Sequence, residues 1–205
     1  MLSSFLTGFF LGISLIVAIG PQNAFVIRQG ILGKHTFYVA LFCAISDSLL
    51  ICLGVIGISF FLNSFISEFS NLLFGLSSLW LFGYGVLRLK SAFKGNTNKE
   101  IADSKSKKLR STILVLAILT FANPHVYLDT MVLIGSISQQ FLGIYRITFA
   151  MGAIVASFVF FFCLGYGATK LSPLMKRKSS WQVLDILIAI IMFNIAFNLF
   201  FAINW

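Results

Sequence analysis

From Leu2 to Ile27 the chain runs without one Asp, Glu, Lys, Arg or His. About 20 consecutive apolar residues cross the hydrocarbon core of a bilayer. Further segments of comparable length are Phe37–Leu62, Phe69–Leu87, Thr112–Ile134, Ile147–Thr169 and Asp185–Ile203. Transmembrane strands would alternate over about ten residues, and these runs are too long and too uniform for that. Only 10% of the 205 residues are charged, against about 25% in soluble domains. The expectation is an all-α integral membrane protein with six transmembrane helices. No basic residue precedes Arg28, so the first segment lacks the basic start of a cleaved secretory signal and reads as a retained span.

The formal charge of +9 would fit nucleic acid, but its distribution points to membrane topology instead. All 15 basic residues except Arg146 fall between spans 1 and 2, 3 and 4, or 5 and 6. The positive-inside rule puts those loops in the cytoplasm and both termini outside. Trp181 and Trp205 flank the sixth span as interfacial anchors would. An odd number of spans per half gives the halves opposite orientations, the inverted repeat of many secondary transporters. The expected units are two three-helix repeats, 1–93 and 111–205, joined by a flexible basic linker over 94–110. Lipid is an expected partner, and nucleic acid is not.

Each half carries a proline break in its first span: Ala18-Ile19-Gly20-Pro21-Gln22-Asn23-Ala24 and Phe121-Ala122-Asn123-Pro124-His125-Val126-Tyr127. Proline has no backbone N–H and clashes with the turn before it. The polar groups it frees must find partners in protein or in a water-lined cavity. Paired breaks in corresponding spans point to a transporter binding site. Helix N-termini at such breaks suit a carboxylate. Gly20, Pro21, Gln22 and Asn23, with Asn123 and Pro124, are therefore candidates for the acidic end of an amino acid.

Asp47, His125 and Asp129 are the ionisable groups well inside spans, and Arg28 sits at the inner edge of span 1. A charge at a helix centre costs about 2.5–3.5 kcal/mol on insertion scales, so such residues usually line pathways. Asp47 and Asp129 are candidates for a bound cation or proton, with His125 as a possible proton relay. The alternatives are an aspartic acid bonded to a neighbouring helix, a buried pair with Arg28, and a hydrogen-bonded His125 at the break. A carboxyl group away from water favours its protonated form, and a bound cation favours the carboxylate. One site can thus exchange a proton for a cationic substrate.

Other polar features read as packing. Gly8 and Gly12 form a GxxxG pair for close helix approach, within the chain or between copies in a homo-oligomer. Asn194 and Asn198 suit bonds between helices. Asp185 reads as an ordinary charge at the inner end of span 6. Cys43, Cys52 and Cys163 all lie in spans without a CxxC, which disfavours a disulfide framework or a metal site. No cofactor is expected.

Gly20-Pro21-Gln22-Asn23-Ala24-Phe25-Val26-Ile27-Arg28-Gln29-Gly30 resembles the N-terminal signature of the LysE family, the lysine/arginine exporters of bacteria. Asn123-Pro124-His125-Val126-Tyr127-Leu128-Asp129-Thr130 resembles that family's second signature, and Ala44-Ile45-Ser46-Asp47 its acidic motif in span 2. The resemblance covers the whole chain. It implies a transporter, not an enzyme, that exports arginine or lysine across the bacterial inner membrane. The expected mechanism is alternating access, with the halves rocking about a central site and proton entry driving export. Export of neutral amino acids such as threonine or homoserine is the alternative. A membrane thiol–disulfide carrier is a third reading, although Cys43 and Cys52 stand nine residues apart on one predicted helix.

Overall fold

The computed structural model describes residues 1–17, 20–57, 59–94, 108–173 and 178–201. Most of the expected linker (residues 95–107) and Trp205 lie outside them. The described residues form helices and turns, with no strand. In chain order the helices are α1 (Leu2–Ile16), α2 (Pro21–Leu32), α3 (Thr36–Ile56), α4 (Ser59–Lys94), α5 (Leu109–Phe121) and α6 (Pro124–Tyr127). A π-helical stretch, π1 (Leu128–Leu133), then leads to α7 (Ile134–Ser138), α8 (Ile144–Thr169) and α9 (Lys178–Phe201).

Among the described residues, three helices are long and apolar enough to cross a membrane. There are four if α1 and α2 count as one span bent by 83°. This is a multi-pass membrane protein. Its surface carries large apolar side chains such as Leu2, Ile56, Leu79, Leu142 and Phe201, which a bilayer accepts and water does not.

Several boundaries differ from the sequence reading. The second span stops at Ile56, because Gly57 turns left-handed with φ of 100°. The expected loop at 63–68 is instead part of the single helix α4. Neither Gly nor Pro interrupts the chain from Ser59 to Phe74, so no residue there forces a break. The fourth span is divided into α5, α6, π1 and α7. Between α2 and α3, Gly33 adopts φ of 65°. Its N–H bonds Gly30 O at 2.9 Å, and Lys34 N–H bonds Gln29 O at 3.4 Å. This Schellman arrangement satisfies the last carbonyls of α2 and reverses the chain tightly.

Buried apolar side chains of the described residues gather in four clusters, two of them larger than the rest. One joins Phe25 and Val26 of α2, Val39, Ala40, Cys43 and Ala44 of α3, Leu116 and Leu119 of α5, and Phe161 of α8. The other joins Leu81 of α4 to Ile188, Met192, Ala196 and Leu199 of α9, with Ala24 of α2. Lipid tails are as apolar as leucine, so close van der Waals fit rather than water exclusion drives helix association here. Small residues provide that fit. Gly8 lies against the backbone carbonyl of Phe149, and Gly12 against Ala153 and Ala156. The Gly8/Gly12 face is thus spent on α8 inside the chain. At a second crossing, Gly54 of α3 meets the backbone of Met131, and Gly135 of α7 meets the backbone of Gly54.

Trp181 is not a lipid-facing anchor. It is 4% exposed and fills the gap between Ile31, Leu32 and Ala168. Asn194 and Asn198 bond each other along α9, Nδ2 to Oδ1 at 2.8 Å, rather than a neighbouring helix.

A Cβ on Gly8 would collide with main-chain atoms that cannot move aside, and overpacking costs about 1–3 kcal/mol or more. Gly8→Val should therefore lower the thermal unfolding midpoint in detergent. Gly167→Ala, whose Cβ meets nothing within 4 Å, should leave it unchanged. Equal midpoints for both variants would remove the α1–α8 crossing from the determinants of stability.

Candidate functional site

At the first break α1 ends at Ile16 and α2 begins at Pro21, with Gly20 extended at its N-terminus (φ −106°, ψ −178°). Proline suits this first position, because its missing N–H would have no partner in the helix anyway. The Asn23 side chain reaches back across the break. Its Nδ2 donates to the carbonyl of Ile16 at 2.8 Å, so an amide of the second half-helix satisfies a carbonyl of the first. At the second break two side chains do the same work. Ser77 of α4 donates to Ala122 O at 2.6 Å, and the Tyr127 hydroxyl donates to Phe121 O at 2.9 Å.

Beyond the second break the chain winds wider. The N–H of Ile134 bonds the carbonyl of Asp129, five residues back. Such π-turns occur mostly as single turns inside α-helices, frequently at functional sites. This one puts Asp129 and Thr130 on the wall of a cavity of about 190 Å³. The same cavity is lined by Gly20, Pro21, Gln22 and Asn23 from the first break, Asn123 and Val126 from the second, and Asp47 from α3. Apolar walls come from Leu15, Ile16, Ile134, Phe161 and Ile195. Both breaks, with Asp47 and Asp129, thus meet around one space.

Asp47 is 3% exposed and accepts a hydrogen bond from the Ser157 hydroxyl of α8, Oγ to Oδ2 at 3.3 Å. Gln22 lies beside both Asp47 and Cys43. It is 6% exposed, and its Nε2 makes no hydrogen bond of acceptable geometry. A buried amide donor on the cavity wall is a ready partner for an oxygen-bearing ligand.

Of the other candidates, the side chains of Pro124 and His125 lie outside the described residues. Arg28 is placed elsewhere. It is buried near the far end of α2, with Nε 3.9 Å from Asp185 Oδ1 of α9. Arg88 Nη1 of α4 approaches the same oxygen at 3.7 Å, and Ser91 Oγ donates to Asp185 Oδ2 at 3.4 Å. The Arg88 guanidinium also lies over the Tyr84 ring, 4.9 Å from its centroid.

Asp185 is therefore not the plain end-of-span charge expected from the sequence. Helix α9 begins at Lys178, two turns earlier than the expected span, and Asp185 is 2% exposed within it. One signal was available in the sequence: Arg28, Arg88 and Asp185 all stand at span ends on the basic side.

The three cysteines are free, Cys43 buried and the others exposed. No cluster of three metal-ligating side chains occurs among the described residues.

Removing one partner of a buried ion pair typically costs about 3–5 kcal/mol. Asp185→Asn would leave two guanidinium groups in one buried site and should sharply lower the thermal midpoint in detergent. An unchanged midpoint would mean that the cluster does not hold α2 to α4 and α9.

Comparison with known proteins follows the same lines. The family model for LysE type translocators matches residues 13–202. The arginine exporter protein ArgO of Yersinia enterocolitica is 40% identical over 203 residues, which span 97% of each chain. The proteins of that name from Pectobacterium carotovorum and Pectobacterium atrosepticum are each 38% identical over 206 residues, again spanning 97% of both chains. No solved structure matches the chain.

Proposed function

Because the chain belongs to the LysE family of translocators, we propose that it exports arginine from the cytoplasm by alternating access, with protons entering in exchange. The observation that carries this reading is the shared cavity, where two broken helices and two carboxylates meet. Arginine is a cation at its side chain and its α-ammonium. Asp47 and Asp129 supply the opposite charge. The substrate also matches the name of relatives that align along nearly the whole chain.

In this reading the chain crosses the inner membrane six times, with both termini outside. Helices α1–α4 form the first repeat, α5–α9 the second, and 94–110 joins them. The packing supports a repeat. The second half of span 1, α2, lies on α8, while the second half of span 4, π1 with α7, lies on α3. The pairs α3–α8 and α4–α9 bring together the spans that such a symmetry would exchange.

Export of a monocation runs against an inside-negative potential at about 2.3 kcal/mol per 100 mV. A passive pore would accumulate arginine, so a coupled step is required. A carboxylate that releases a cation and then takes a proton supplies it. One proton in place of one monocation leaves the site with the same charge in both directions, so the exchange is electroneutral.

The test is efflux of labelled arginine from cells preloaded with an arginine dipeptide. Wild type should export. Asp47→Asn and Asp129→Asn, at equal membrane levels, should lose it by roughly 30-fold or more, since truncating one side of a buried charge contact costs about 2–5 kcal/mol. Normal export by both variants would make the carboxylates structural. In vesicles, an imposed pH gradient should change the efflux rate, and an unchanged rate would end the proton reading. If arginine is retained while threonine leaves, the substrate is a neutral amino acid.

A further inference from the structure

We propose that Ser157 of α8 is a positioning residue for Asp47, holding the carboxylate in the orientation that receives the substrate's cationic group. The inference rests on Asp47 being a cation site, as read above.

A serine or threonine inside a helix ordinarily bonds back to a carbonyl of its own preceding turn. Several do so here: Thr7 to Ser3 O, Ser14 to Leu11 O, Ser138 to Gly135 O and Thr169 to Tyr166 O. Ser157 turns away from that habit. Its hydroxyl crosses to α3 and donates to Asp47 Oδ2 at 3.3 Å. The contact is shut off from the surroundings, with Ser157 at 0% and Asp47 at 3% exposure. One turn along α8, Phe161 forms a wall of the cavity that Asp47 also lines. Ser157 thus backs the carboxylate on the side of α8, while Gln22 of α2 lies beside it.

A hydroxyl has a property that this position needs. It donates to a carboxylate and accepts from a carboxylic acid. It can therefore stay bonded to Asp47 in both states of a cation–proton exchange. A backbone N–H or a guanidinium only donates, and could not accept the O–H of the protonated acid. With one oxygen tethered to α8, the carboxyl keeps one orientation through the cycle.

Packing alone predicts the opposite ranking of two substitutions. The site is closed, with Ser157 itself 0% exposed. Alanine fits there with ease, and threonine must force in a methyl group. If the hydroxyl matters, alanine fails and threonine rescues. The measurement is labelled-arginine counterflow in proteoliposomes, giving KM and maximal rate for wild type, Ser157→Ala, Ser157→Thr and Asp47→Asn. Ser157→Ala should raise KM roughly tenfold or more, the loss expected for a hydrogen bond to a charged group. Ser157→Thr should return it close to wild type. Wild-type behaviour of Ser157→Ala overturns the proposal. So does equal loss in both variants, because the site would then demand volume and not a hydroxyl. If Asp47→Asn fails to transport while Ser157→Ala is normal, only the role of Ser157 falls. If Asp47→Asn transports normally, the reading of Asp47 falls, and the role of Ser157 with it.

Discussion

Breaking a helix inside a bilayer frees carbonyl groups that hydrocarbon cannot solvate. In this chain those carbonyls find side chains. Ile16 O is met by Asn23, Ala122 O by Ser77 and Phe121 O by Tyr127. Each donor comes from a different structural neighbour: the next half-helix, a separate long helix, and the turn just beyond the break. The solution fixes more than local geometry. Asn23 draws the start of α2 up to the end of α1, and Ser77 brings α4 up to the second break. The cavity between the breaks is the space these bonds leave.

That arrangement divides the labour among residues that look equivalent in the sequence. Gln22 and Asn23 are neighbouring amides after one proline. Asn23 gives its Nδ2 to the backbone, whereas Gln22 lies on the cavity wall beside Asp47 and Cys43. Asp47, Asp129 and Asp185 are all buried or partly buried acids in spans. Asp185 faces two arginines, Asp47 faces a serine, and Asp129 stands on a widened helical turn. Chemistry follows from these neighbours more than from residue type. An acid already matched by guanidinium groups serves cohesion, and an acid held by a neutral hydroxyl can still receive a cation.

Much of this was legible in the sequence, because the physics behind it is local. Proline breaks a helix wherever it stands inside one, and long uncharged runs read as spans. Arg28 shows where local reading stops. It belongs to the same motif as Gln22 and Asn23, yet it lies near the other end of a twelve-residue helix, against Asp185. That pairing joins residues 28, 88 and 185, a contact between helices that no periodicity encodes. The π-turn at Leu128–Leu133 was equally hidden, since a π-turn is set by packing against neighbours and not by a breaker residue. Trp181 looked like an interfacial anchor by its position near a span end, but Ile31, Leu32 and Ala168 enclose it.

The glycine-backed crossings bear on how such a molecule can move. Helix α1 comes from the first half of the chain, yet its backbone touches that of α8 from the second. Helix α7 comes from the second half, yet it meets the backbone of α3 from the first. Each half has lent a helix to the other. A swing of the sequence halves as two intact bodies would part backbones that are in contact here. Among the described residues, the α4–α9 pair meets the block of α1, α3, α7 and α8 along a more lightly packed seam. Ile195 of α9 and Asp47 of α3 face the cavity from opposite sides of that seam. Across that seam, Asp185 ties the α4–α9 pair to Arg28 of α2.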